Sequence, residues 1–204
     1  MKLILVRHGQ TAWNSQRRIQ GCRSDIDLSH HGREQVARLA ASLAKRDVNA
    51  IYSSPLKRAI DTAEAIARIC GPEVTEVPAL REIDAGELEG LSVDTMSDRH
   101  QKFWKEWVKG NTSLPLPGGE SLAELQARVW REIELIAARH PDETVIVVGH
   151  YFVILVAVCR AMEMDLSAMT RLKLDQTGVS ILDISPQGNT LLLFNDTCHL
   201  EPAL

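Results

Sequence analysis

The sequence predicts an α/β protein: a three-layer α/β/α sandwich with a mostly parallel central sheet. Three observations carry the prediction. Residues 3–6 (LILV) and 145–148 (VIVV) are apolar at every position, the pattern of strands buried on both faces. Strand-like and helix-like segments alternate along most of the chain, which calls for helices on both sides of a sheet. Each apolar run then stops abruptly, at Arg7-His8-Gly9 and at Gly149-His150. Ionisable side chains are thereby set at the carboxyl edge of the sheet, where open α/β folds bind ligands.

Taken in order, residues 12–28 are polar and irregular and read as a loop over the end of the first strand. Ser29 caps a helix to about Arg46, with Val36, Leu39, Ala40, Leu43 and Ala44 at three- and four-residue spacing. Residues 50–53 form a second strand. Ser54-Pro55 starts the next helix, with Pro at the first helical position, where its missing N–H would be unpaired anyway. That helix runs to Gly71-Pro72. Residues 73–77 alternate as a third strand, followed by a glycine-bracketed turn at 86–90.

Residues 92–113 form a helical excursion carrying Phe103, Trp104 and Trp107, which either line a ligand wall or pack as core. Residues 114–119 (LPLPGG) are a loop. Ser121 with Glu124 makes a capping box for a helix to about His140, stopped by Pro141. After the second apolar strand, residues 152–162 are too apolar for an exposed helix. Residues 178–184 and 190–194 close as strands around Gln187-Gly188-Asn189.

With 204 residues and 45% hydrophobic content, the chain suits a single domain, 1–204, without a compositional boundary. The net charge of −4 and the lack of a Lys/Arg cluster argue against nucleic acid as a partner. No apolar run reaches transmembrane length, so no membrane partner is expected. Cys22, Cys70, Cys159 and Cys198 have no metal-ligand spacing, and reduced thiols in a cytoplasmic protein are expected. A homodimer is left open.

At the carboxyl edge, Arg7 and Arg58 suit an anion: Arg58 lies in the first turns of its helix, where free N–H groups and a guanidinium fork both favour phosphate. His8 is a nucleophile if its other ring nitrogen donates to a buried acceptor such as a backbone carbonyl. Each residue also has a plainer reading. Arg7 and His8 end a strand by meeting water, Arg58 pairs with Asp61 on the helix surface, and Glu82 pairs with Arg81. His8, Glu82 and His150 as zinc ligands are disfavoured by two neighbouring arginines, and no metal or other cofactor is expected.

Six motifs in order resemble the histidine phosphatase superfamily in its phosphoglycerate-mutase-like branch: RHGQTAWN at 7–14, Gln20-Gly21, SSPLKRA at 53–59, LREIDAGELEG at 80–90, PGGES at 117–121 and VVGH at 147–150. The resemblance implies a phosphoglycerate-mutase-like fold and a small-molecule phosphate ester as partner. It implies that His8 forms a phosphohistidine, that Arg7, Arg58 and His150 hold the phosphoryl oxygens, and that Glu82 is the general acid. Asn14, Gln20 and Gly21 would complete the phosphate cradle. REIDAG stands where similar mutases read ERHYG, and the chain lacks their central insertion. It looks more like the phosphatases acting on alpha-ribazole phosphate, glucosyl-phosphoglycerate or a broad range of esters. Metal-independent hydrolysis of small phosphate monoesters is therefore expected, with mutase-type transfer and a catalytically idle binding module as alternatives.

Overall fold

The computed structural model describes residues 1–108 and 114–201. Six strands form one sheet: β1 (Lys2–Arg7), β2 (Ala50–Ser53), β3 (Val74–Glu76), β4 (Thr144–Gly149), β5 (Val179–Asp183) and β6 (Thr190–Asp196), in the order β3-β2-β4-β1-β5-β6. The pairings β1·β4, β2·β4 and β2·β3 are parallel, while β5 runs antiparallel to both β1 and β6. The sheet is thus mostly parallel, as predicted.

The uninterrupted apolar runs are explained by the two faces. Leu3, Leu5, Val145 and Val147 enter one core, whereas Ile4, Val6, Ile146 and Val148 enter the other. A strand that feeds two cores has no polar alternation. On the second face lie α2 (His30–Leu43) and α3 (Lys57–Cys70), contributing Leu39, Leu43, Ala59, Ala63 and Ile66. The opposite face is covered by α5 (Leu122–Arg139) and α6 (Tyr151–Ala161), with Leu125, Val129, Ile133 and all of residues 153–159 buried. Each such fully buried aliphatic side chain contributes roughly 1.5–3 kcal/mol relative to exposure.

Two local expectations change. Residues 12–15 are not loop but a one-turn helix, α1 (Ala12–Ser15), closed by a reciprocal capping box between Thr11 and Asn14. Pro55 does not start its helix. Leu56 is still extended at ψ 133°, and α3 begins at Lys57, whose N–H donates to Asp25 Oδ1 at 2.7 Å. An acceptor from the loop over β1 takes over the capping role, which moves Arg58 into the first turn.

The capping box of Ser121 and Glu124 is present as predicted. The excursion holds α4 (Asp98–Val108); its expected end at 109–113 lies outside the described residues.

Candidate active site

Register brings the two histidines together. Arg7 pairs with Gly149 across β1 and β4, so His8 and His150 leave neighbouring strands at the same level. Their ring centroids are 5.2 Å apart. His8 Nδ1 and the Gly9 carbonyl share a 2.7 Å hydrogen bond, the backbone acceptor the nucleophile reading required. The proton therefore belongs on Nδ1, and Nε2 keeps its lone pair. Gly9 itself is anchored by its N–H to Thr62 Oγ1 on α3, at 3.2 Å.

His150 is tied differently, Nε2 to Ser54 Oγ at 2.7 Å, with Nδ1 unpartnered. Both rings are buried. Burial, and the charges of Arg58 and Arg7, hold both well below the ordinary histidine value of 6.5; His8 when charged adds to the depression of His150, and the Gly9 carbonyl opposes that of His8. Both are neutral near neutral pH.

The arginines are deeper than expected. Arg58 is fully buried, donating from Nη2 to Gly21 O at 2.9 Å and from Nη1 to Ser24 O at 3.2 Å. Burial brings its pKa down to about 10, so it stays charged. Asp61 pairs with Lys57 instead, at 3.2 Å. Arg7 Nη1 donates to Leu174 O at 2.6 Å, and its guanidinium lies 5.0 Å from the Tyr151 ring centroid. Glu82 is likewise buried, not paired with Arg81. Its Oε1 accepts from Ile83 N (2.9 Å) and Oε2 from Phe152 N (3.2 Å) at the start of α6. Burial outweighs those donors and the arginine charges, and its pKa is raised.

Arg7, His8 and Glu82 open onto a cavity of about 470 Å³ together with Asn14, Gln20, Arg17, Arg18, Trp104, Tyr151, Phe152 and Gln176. Arg58 and His150 are fully buried and do not line it. Gly21 does not line it either; its carbonyl holds Arg58. Asn14 spends its side-chain oxygen on the Thr11 cap, and Gln20 Oε1 accepts from Thr11 Oγ1. The two readings of the excursion divide by residue: Trp107 is core, stacked on Trp104, while Trp104 lines the cavity.

Among the described residues, five buried side-chain polar atoms lack a protein partner: Arg7 Nε, Arg58 Nε, Gln20 Nε2, His150 Nδ1 and Glu89 Oε2. Four are nitrogens around His8. An unsatisfied buried donor costs about 1–3 kcal/mol, so their gathering in one place is the mark of an anion receptor. No group of three or more His, Cys, Asp or Glu is placed to hold a metal among the described residues.

The model of the histidine phosphatase superfamily (branch 1) matches residues 3–197. The chain belongs to the histidine phosphatase superfamily. Phosphoserine phosphatase 1 of Hydrogenobacter thermophilus is 36% identical over 98% of this chain and 94% of its own length. A metal-independent phosphoserine phosphatase of Arabidopsis thaliana is 36% identical, over 98% and 83%. A mutant phosphoserine phosphatase from Entamoeba histolytica, crystallised with phosphoserine, superposes with a TM-score of 0.88 at 30% identity, over 98% and 99% of the two chains. This histidine phosphatase is accordingly a phosphoric monoester hydrolase with the phosphoglycerate-mutase-like fold.

Sequence reasoning missed Ser54 as the partner of His150, Thr62 behind Gly9, Tyr151 beneath Arg7 and the start of α6 as a donor to Glu82. The last had a signal: a helix following directly on V-V-G-H must present free N–H groups at that sheet edge.

Proposed function

We propose that this histidine phosphatase hydrolyses small phosphate monoesters by two transfers through His8. His8 Nε2 attacks phosphorus, the P–O ester bond breaks, and the leaving oxygen takes its proton from Glu82. Water then gives a proton to the Glu82 carboxylate and attacks phosphorus, the P–N bond breaks, and inorganic phosphate departs with His8 neutral again. Arg7, Asn14 and Gln20 hold the phosphoryl oxygens from the cavity wall through the loose, charge-spread transition state, and the buried Arg58 and His150 hold them through their unpartnered Nε and Nδ1. Gly21 acts through Arg58.

The observation that carries this reading is the gathering of four unpartnered nitrogens around a His8 whose free ring nitrogen is Nε2. The raised Glu82 pKa adds a sign: kcat/KM on an alkyl ester falls as pH rises through that pKa, because the acid form is lost.

The leaving group we assign carries a carboxylate, as phosphoserine and phosphoglycerate do. Arg17 and Arg18 are the cationic side chains on the cavity wall besides Arg7, and both relatives above are named for phosphoserine. We further place the chain in the cytoplasm as one domain whose helical excursion, at α4, covers the substrate. The free cysteines fit that compartment, and Trp104 on α4 fits that cover. A homodimer through the edge strand β6, with Leu192 half-exposed, is the assembly we propose.

The test is turnover with excess chelator on O-phosphoserine, 3-phosphoglycerate, alpha-ribazole phosphate and p-nitrophenyl phosphate. Phosphate release is expected on all four, with the highest kcat/KM on a carboxylate-bearing ester. Preference for alpha-ribazole phosphate would overturn the leaving-group assignment. Primer-stimulated interconversion of phosphoglycerates without phosphate release would favour a mutase, and binding without turnover an idle module.

A further inference from the structure

The PGGES motif at 117–121 has no place in the mechanism above, yet it sits against the segment that carries Glu82. Glu120 N donates to Asp84 O at 2.9 Å, and Glu120 Oε2 accepts from Asp84 N at 3.3 Å. A Cβ on Gly119 would run into Asp84 O and the backbone of Ala85 and Gly86, so this approach requires glycine. Glu120 is in turn gripped by Arg128 of α5: Nε to Oε1 at 2.7 Å and Nη2 to Oε2 at 2.9 Å, a bidentate pair.

The remaining donors of Arg128 all go to the same segment. Nη1 donates to Ala79 O (2.6 Å) and Arg81 O (2.8 Å), and Nη2 to Glu82 O (3.1 Å). All five guanidinium N–H groups are thus spent, two on Glu120 and three on carbonyls around Glu82. A surface ion pair contributes little by itself. Here the pair is largely covered, and its third element is backbone. The Glu82 backbone is held on one side by Arg128 and its carboxyl on the other by Phe152 N. Arg128 touches neither the cavity nor the reacting atoms.

We propose that Arg128, locked by Glu120, is a positioning residue for the general acid. It fixes the backbone from which Glu82 reaches the leaving oxygen, and so sets how well a poor leaving group is protonated. This rests on the assignment of Glu82 as the acid. A lysine at 128 would keep the charge but not the planar five-donor fork.

The test exploits the chemistry of the leaving group. kcat/KM reports the transfer to His8, which needs an acid for an alkoxide and hardly needs one for p-nitrophenolate. In Arg128→Lys, Arg128→Met and Glu120→Gln, kcat/KM on O-phosphoserine is expected to fall at least about thirtyfold while that on p-nitrophenyl phosphate falls less than about threefold, with Glu82→Gln as the reference. Thermal melting verifies folding; if Arg128→Met does not fold, Arg128→Lys and Glu120→Gln carry the test. Equal losses on both substrates in folded Arg128 and Glu120 variants, with Glu82→Gln still discriminating, would overturn the positioning role alone. Equal losses in Glu82→Gln itself would remove the acid assignment, and this role with it.

Discussion

His8 and His150 come from the same local design, an apolar parallel strand that ends in a histidine at the carboxyl edge, and they lie side by side. They differ in what each ring is tied to. His8 is held at Nδ1 by a carbonyl that can only accept, and it opens with Nε2 onto the cavity. His150 is held at Nε2 by a hydroxyl that either donates or accepts, and it is fully buried with Nδ1 unpartnered. In the proposed mechanism two imidazoles of the same local design then do different work: one keeps a lone pair for phosphorus, the other holds a phosphoryl oxygen.

Substitution at His8 should make the largest difference. His8→Ala is expected to lower kcat/KM by at least about 10⁴-fold, the scale for losing a nucleophile, whereas His150→Ala costs on the order of 10–100-fold. Steady-state kinetics on p-nitrophenyl phosphate check both, and equal losses would dissolve the distinction. Arg58 serves both rings, and Arg58→Ala should lower kcat at least about a hundredfold, the loss of one transition-state charge partner. A change under threefold would place Arg58 outside the chemistry.

A smaller effect concerns stability. Both histidines have folded pKa values below the unfolded 6.5, so near pH 7 they are neutral in both states. As pH falls below about 6.5 the unfolded chain takes up protons that the folded one refuses, and stability declines by up to about 1.4 kcal/mol per pH unit for each ring. Urea unfolding between pH 7 and 5 should show this slope. His150→Gln should reduce it by about one proton, and an unchanged slope would mean that His150 titrates normally.

How much of this was legible in the sequence follows physical lines. β1 and β4 stood out because a strand feeding two cores has no polar positions. The capping box at Ser121 stood out because its partners are three residues apart. Helix α1 was hidden, since one turn held by Thr11 and Asn14 has no periodicity. The start of α3 was misjudged because Asp25, 32 residues upstream of Lys57, supplies the cap. Arg58, Glu82, His8 and His150 were legible as residue types at expected places. Their depth was not, because Gly21 O, Ser24 O and Phe152 N are backbone atoms that leave no mark in side-chain patterns. Arg128 was invisible for the same reason: three of its five acceptors are carbonyls.

The division of labour between the two imidazoles is most directly tested by trapping the covalent intermediate. Enzyme mixed with a ³²P-labelled monoester and quenched in alkali, where a phosphoramidate survives, should carry label on the peptide containing His8. Labelling should persist at a reduced rate in His150→Ala and vanish in His8→Ala. Label on the peptide containing His150, or label retained in His8→Ala, would contradict the account.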